Sequence, residues 1–295
     1  MNKWLVGIPT YKRPASLEKT LDSLATQYEA PRFDVCIVDN DPAQSAKGIA
    51  EGFLGGLAIT YLTEPRPGVV HVRNRLLQQA STYKSLAFLD DDEIAGPMWL
   101  FELSKAMDAY PGSIISGRVD YELETTQRNP ELALLTFKRP NREPGDLLLT
   151  TGTGNSAIPI QLLPPNGRAL RFDPRYAMIG GEDTHYYAEL SKLGVQIRSW
   201  PAAAVQEIVP QDRTSREALK KRLRRSGHVN AMLALETRSR WRIAAAYGLR
   251  LCLGVPASFL ASGKQRRARA IALTQSGLGG LDSLFSPAKR YYGEN

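Results

Sequence analysis

The segment KSLAFLDDDEI, Lys84 to Ile94, decides how the chain is read. Ser85 to Leu89 carry no charge, as in a buried strand. Asp90, Asp91, Asp92 and Glu93 then follow without a break. Carboxylates in such a row repel one another, so their position at a strand end needs a physical reason.

The flanking sequence supplies the frame. WLVGIPT (4–10), FDVCIVD (33–39), LAITYL (57–62) and SLAFLD (85–90) read as strands. Between them, 16–27 places Leu17, Leu21, Leu24 and Ala25 on one helical face, and 69–82 reads as a helix after the turn-forming PRPG. Strands separated by helices predict βαβ crossovers and an α/β, doubly wound, mostly parallel sheet. Further on, 113–124 and 195–200 read as strands and 125–145 as a polar loop. LLLTTGTGNSAIPI (147–160) reads as apolar chain around a Gly-rich turn, and 177–194 as a Gly-Gly turn leading into a short helix.

Ligands of doubly wound sheets bind beyond the carboxyl ends of the strands. Here those ends are Pro9-Thr10-Tyr11, Asp39-Asn40-Asp41 and Asp90-Asp91-Asp92. Mg²⁺ and Mn²⁺ favour hard oxygen ligands, and Mg²⁺ sites combine one or two carboxylates with substrate phosphates. The Asp run is therefore either a metal site or a solvated acidic loop. Glu182 and Asp183 in GGEDTHYY are either helix-dipole partners or a general base. Arg66, His71, Arg73 and Asn74 in PRPGVVHVRNR either bind phosphate or line an exposed helix face. TGTGNSA matches a dinucleotide fingerprint in its spacing, but Pro159, Pro164 and Pro165 exclude the helix that fingerprint must open.

Composition bounds the class. The 295 residues are 43% hydrophobic and 23% charged, an ordinary globular balance. Cys36 and Cys252 stand far apart with no metal-ligand spacing, which predicts reduced thiols in a cytosolic protein. The apolar start breaks at Pro9 and reads as a first strand, not a signal peptide. The net charge of +8 hides an asymmetry: residues 213–295 hold 17 Lys+Arg against 4 Asp+Glu, and residues 1–212 hold 21 against 26. An acidic body with a basic tail predicts an anionic partner for the tail.

The stretches IPTYKRP, VDND, PGVVHVRN, FLDDDE, TGTGNSAI and GGEDTHYYAEL, in this order over about residues 3–230, resemble the family 2 glycosyltransferases of GT-A fold, in particular bacterial exopolysaccharide types. The resemblance implies an inverting, metal-dependent transfer from a nucleotide-diphosphate sugar, UDP-linked by preference, to a glycan acceptor that is lipid-linked. It implies a cytoplasmic enzyme on the inner face of the cell membrane. It assigns Pro9, Thr10, Tyr11, Arg13, Asp39, Arg73, Asn74, Asp90 and Asp91 to the nucleotide sugar, and Asp92 with Asp90 to Mn²⁺ or Mg²⁺. Asp183 becomes the base, with Glu182 supporting the acceptor beside Gly154 and Asn155. His228 falls where some members place a third metal ligand, though a surface histidine is the stronger reading. His185 stands where members carry a second acid. The Q-x-x-R-W stretch of processive members is missing, which implies one sugar per binding event.

The expected organisation is a catalytic domain over 1–212, with a donor half to about 110 and an acceptor half beyond it, and a basic helical extension over 213–295. In that extension 213–225 reads as a basic helix. Residues 241–262 are apolar but interrupted by Arg242, Arg250 and Pro256, which argues against a span. Two readings are left: an interfacial segment at an anionic membrane surface, which is favoured, or a helical subdomain packed on the catalytic domain. Two other classes stay in view. A nucleotidyltransferase would carry a Gly-rich loop after the first strand, and IPTYKRPAS has no glycine. A nucleic-acid-binding protein would use the basic tail, but no nucleic-acid motif accompanies it, so no nucleic acid is expected.

Overall fold

A computed structural model describes residues 3–123, 129–137, 139–163 and 170–286. Pro164 and Pro165 and part of the 125–145 segment lie outside the described residues. The chain packs as two compact units. One comprises Met1–Asp120, Asn141–Ala177 and Glu182–Glu207; the other comprises Tyr121–Pro140, Met178–Gly181 and Ile208–Asn295.

The first unit is built on a mixed sheet. Its elements begin β1 (Trp4–Thr10), α1 (Pro14–Ala25), β2 (Phe33–Asp39), α2 (Lys47–Gly52), β3 (Ile59–Thr63), α3 (Val69–Gln79) and β4 (Ser85–Leu89). They continue through β5 (Glu93–Ala95), α4 (Trp99–Ala109), β6 (Ile114–Leu123), β7 (Leu147–Leu148), β8 (Asn155–Pro159), α6 (Glu182–Lys192) and β9 (Ile197–Val209), while α5 (Pro130–Phe137), between β6 and β7 in sequence, belongs to the second unit. The strand order is β3-β2-β1-β4-β8-β6-β9-β5, with β7 on β9. The first four strands pair in parallel, as the βαβ reading expects; β8 runs antiparallel to β4 and β6, and β9 antiparallel to β5 and β7. Every residue of β1 and β4 is buried, which is why neither strand carries charge.

The connections define where a ligand can bind. The chain steps outward from β1 to β2 to β3, then returns to lay β4 on the other side of β1. The crevice at such a reversal lies at the carboxyl ends of β1 and β4. Those ends are Thr10 and the Asp run.

The second unit is helical: α7 (Arg216–Leu235), α8 (Arg240–Leu260) and α9 (Lys264–Phe285). The loop expected over 125–145 contains α5 instead. Its Leu132, Ala133 and Phe137 are buried with Val209, Leu219 and Ala268, partners too distant in sequence for local pattern to reveal. Pro256 and Arg250 do not interrupt α8, which runs 21 residues; among the described residues it is the one helix long and apolar enough to cross a membrane. His228 is fully buried on α7, which corrects its reading as a surface histidine.

Glycines set the spacing of α7 and α9. A Cβ on Gly279 would lie 1.8 Å from the Arg224 carbonyl oxygen, and one on Gly227 would lie 2.2 Å from that of Ser276. Alanine normally favours a helix over glycine by about 1 kcal/mol. At Gly279 the backbone clash outweighs that preference. Gly279→Ala is expected to lower the thermal midpoint, by a destabilisation of about 1–3 kcal/mol; a raised midpoint would show the helices are not in contact there.

Candidate active site

The four carboxylates after β4 are divided among partners, with Asp91 and Asp92 sharing Arg13. Asp91 points back under β1, accepting hydrogen bonds from Thr10 Oγ1 at 2.8 Å and from Arg13 Nη1 at 3.2 Å. Asp92 accepts from the same Arg13 nitrogen at 2.7 Å. Glu93 folds over its own turn, with Oε2 accepting from the Asp90 amide at 3.1 Å. Asp90 faces Arg73 Nη2 at 3.7 Å. Thr20, fully buried on α1, donates to the carbonyls of Asp91 and Glu93 at 3.2 and 2.9 Å and fixes the turn from below.

Exposure separates Asp90 and Asp92 from Asp91. The Asp90 side chain is 34% exposed and that of Asp92 17%, against 7% for Asp91. Asp91 is thus a strut between β1 and the turn, not a donor-facing group as expected. Burial pushes its carboxyl up to about 6, with Arg13 opposing. Burial also raises the Asp90 carboxyl against the pull of Arg73, with Asp92 adding repulsion. Asp90 Oδ1 is buried with no hydrogen-bond partner among the described residues. Excess negative charge, hard oxygen donors and an orphaned carboxylate oxygen together fit a divalent cation held by Asp90 and Asp92.

Arg73 is the cation at the centre. It is 6% exposed, contacts Glu182 directly through Nη1, and lies over the Phe172 ring at 5.9 Å. Burial alone would lower its pKa; Glu182, Asp90 and Asp183 outweigh that and raise it. Glu182 is therefore spent on Arg73 and buried, which corrects its assignment as an acceptor contact. Asp183, next on α6, keeps exposed surface. Its Oδ1 accepts from the Thr184 amide at 2.6 Å and hydroxyl at 3.2 Å, while Oδ2 lies 3.4 Å from where a Gly152 Cβ would stand.

The Gly-rich turn before β8 lies against these groups. A Cβ on Gly154 would lie 2.5 Å from Glu93 Oε1 and 3.1 Å from Asp90 Oδ2, so only glycine allows that approach. Asn155 is a strut: Oδ1 accepts from Trp99 Nε1 at 2.9 Å, and Nδ2 donates to the carbonyls of Arg118 and Ala203 at 2.9 and 2.8 Å. Both its amide hydrogens are used, so its expected acceptor contact is withdrawn. Asn74 pins Phe172, donating to its carbonyl at 2.8 Å and accepting from its amide at 2.9 Å, so its side chain has a structural role in holding the Phe172 backbone.

The other wall of the crevice region comprises the ends of β1 and β2 and the PRPG turn. Pro9 is buried in β1, and Tyr11 beyond it is 52% exposed, with Lys12 Nζ 5.2 Å from its ring centroid. Asp39 is fully buried and accepts from the amides of Asp41 and Ala46 at 2.8 and 3.1 Å and from Tyr61 Oη at 2.9 Å. It anchors the loop after β2, so the base contact expected of it is replaced by a structural role. Asn40 clamps the PRPG turn, donating to the carbonyls of Glu64 and Arg66 at 2.7 Å each and accepting from the Gly68 amide at 3.0 Å. Glu64 binds Arg66 with both carboxylate oxygens, which lowers its carboxyl to about 2. His185 is buried and stacked on Tyr176, centroids 4.7 Å apart. His228 belongs to the helical unit.

The sequence places Asn40 and Glu93 in polar strand-end runs without revealing their roles, and Thr20 is not singled out at all. Thr20 left a trace, a polar residue on the Leu17/Leu21/Leu24 face, where a buried hydroxyl must find a partner.

This arrangement places acidic strand ends around a crevice, with Asp183 on a facing helix, and comparison with known proteins identifies the class. The glycosyl transferase family 2 model matches residues 5–162. The succinoglycan biosynthesis protein ExoM of Rhizobium meliloti is 31% identical over 82% of this chain and 79% of its own. Validoxylamine A glucosyltransferase of Streptomyces hygroscopicus is 32% identical over 47% of this chain and 31% of its own. A solved mannosyltransferase from Pyrobaculum calidifontis superposes with a TM-score of 0.62 at 19% identity, covering 97% of this chain and 88% of that one. TarS from S. aureus superposes at 0.56 with 18% identity, covering 96% and 92%. The chain belongs to glycosyl transferase family 2, has the GT-A fold and is a glycosyltransferase. Neither the nucleotidyltransferase nor the non-enzymatic reading survives this.

A cation held by Asp90 and Asp92 would bind in competition with protons, because burial raises the Asp90 carboxyl, and Asp91 behind them is raised to about 6. The Mn²⁺-induced rise in thermal midpoint is expected to be large at pH 7.5 and to shrink at pH 5.5. Without metal the sign reverses: a carboxyl raised from about 3.9 to about 6 favours folding at low pH, and that contribution is lost as pH rises through about 6. Differential scanning fluorimetry at both pH values, with and without Mn²⁺, reads both trends.

Proposed function

We propose that this glycosyltransferase moves one sugar per binding event from a nucleoside-diphosphate sugar, UDP-linked by preference, to an acceptor hydroxyl, with inversion at the anomeric carbon. The observation that carries the reading is the pair of partly exposed carboxylates, Asp90 and Asp92, at the β1/β4 crevice, with Asp91 and Glu93 turned away to hold them. Support comes also from the relatives: the Pyrobaculum calidifontis mannosyltransferase was solved with GDP-Man and Mn²⁺, and TarS with UDP.

In this reading residues to about 110 form the donor half of a catalytic domain ending near 212, with 213–295 as its extension. Pro9, Thr10 and Tyr11 border the nucleotide, with the exposed Tyr11 ring against the base. Asp90 and Asp92 would hold Mg²⁺ or Mn²⁺, which when bound neutralises charge developing on the departing diphosphate. Asp183 takes the proton of the acceptor hydroxyl. The oxygen's electron pair forms the new bond at the anomeric carbon as the bond to the β-phosphate oxygen breaks on the opposite side. The nucleoside diphosphate leaves with the electron pair of the broken bond, and no covalent sugar–enzyme species is needed. Glu182 acts through Arg73 as a positioning residue, holding α6 so that Asp183 stays beside Gly152. ExoM is named for succinoglycan biosynthesis. We carry that to a glycan acceptor on a lipid carrier, in surface polysaccharide biosynthesis, at the cytoplasmic face of the membrane.

The test is release of nucleoside diphosphate from a panel of nucleotide sugars with Mn²⁺, Mg²⁺ or EDTA. One donor is expected to give metal-dependent release, abolished by EDTA and by Asp92→Ala. Asp183→Asn is expected to keep donor binding and lower transfer about 10²–10⁴-fold. Release that ignores EDTA and Asp92→Ala would refute the metal reading, and failure of every donor to bind would refute the donor reading.

A further inference from the structure

The helical unit carries one element packed contrary to the usual rule that apolar faces turn inward. The buried side of α8 is Ile243, Tyr247 and Gly254, and Arg250 on the same side donates to Ser276 Oγ of α9 at 2.6 Å. A Cβ on Gly254 would lie 2.8 Å from the Thr274 amide, so α8 and α9 touch backbone to backbone there. The opposite side is exposed and apolar. Ala245, Ala246, Leu249, Leu253, Phe259 and Leu260 fall on it at helical spacing over about four turns. Leu253 is 57% exposed and Phe259 82%. Trp241 stands at one end, 67% exposed, with Arg242 over its ring at 5.3 Å.

Charge identifies the partner. Between Glu236 and Asp282 there is no acidic residue. Arg238, Arg240 and Arg242 stand at the start of α8, and Lys264, Arg266 and Arg267 just past its end, all exposed. A contiguous exposed apolar stripe marks an interaction surface. A second copy of the chain would bring these cations against one another, whereas an anionic bilayer would neutralise them while its acyl boundary takes up the stripe. A span across the bilayer is disfavoured, because α9 packs along α8 and would draw its charged first turns into hydrocarbon.

The geometry points to α8 as a membrane-docking helix that lies in the plane of an anionic lipid surface, with Leu249, Leu253 and Phe259 in the acyl boundary and the flanking cations among the headgroups. This deepens the membrane-facing part of the reading above and is independent of the sugar chemistry.

The test is co-sedimentation of the full chain with vesicles of phosphatidylcholine, with or without phosphatidylglycerol, at low and high salt. Binding is expected only with phosphatidylglycerol, weakening as salt rises. Leu253→Gln/Phe259→Gln and, separately, Arg266→Gln/Arg267→Gln are each expected to lower partitioning on the order of tenfold or more. Both variants alter exposed positions, so thermal midpoint and diphosphate release without lipid should stay at wild-type values; that separates failure of the surface from failure of the site. Any one of four results would overturn the inference: no vesicle binding, binding indifferent to both variants, retention after alkaline carbonate extraction, or lipid-free self-association that Leu253→Gln/Phe259→Gln abolishes.

Discussion

A single buried cation, Arg73, makes the acidic crevice possible. Carboxylates crowded at the end of a buried strand cannot all stay ionised without compensation. Arg73 supplies it from α3: it contacts Glu182, faces Asp90 at 3.7 Å and raises its own pKa in doing so. A buried ion pair is expensive to desolvate and weak evidence for stability in itself. Its value here is positional. Arg73 joins α3, the turn after β4 and the first residue of α6, three elements that meet only in the folded chain, and it sets Asp183 beside the Gly-rich turn.

The rest of the crevice follows from that constraint. Of four consecutive acids, Asp91 and Glu93 are buried in bonds that hold the turn, while Asp90 and Asp92 keep partial exposure beside Arg73 and Arg13. Asp91 ties the turn to Thr10 and Arg13, and Glu93 caps the Asp90 amide. The arrangement converts a repulsive sequence into a rigid cradle, with Thr20 as its lower anchor. Gly154 is the price of this closeness, since any side chain there would strike Glu93 and Asp90.

Much of this was legible in the sequence, for physical reasons that can be named. The parallel strands β1, β2 and β4 announce themselves as uncharged runs because both their faces are buried, and β2 was bounded to the residue. The strand-end acids were legible because the topology places every such end on one edge. What escaped were the partnerships. Asp39, Asn74 and Asn155 have the polarity of ligand-contacting groups, yet their hydrogen bonds go to distant backbone, and no local pattern reports such pairings. Glu182 and Arg73 stand 109 positions apart and were each read as facing substrate. α5 was hidden in the same way, its apolar residues answered by β9, α7 and α9.

The central claim is that Arg73 and Glu182 form one unit whose loss leaves carboxylates uncompensated. A double-mutant cycle measures it. Arg73→Met alone should destabilise by about 3–5 kcal/mol, because Glu182 is then buried without a counter-charge. Adding Glu182→Leu to that variant should recover most of the loss in denaturant unfolding while glycosyl transfer stays absent. If the two penalties simply add, the pair is not coupled, and the account of how this crevice is held together fails.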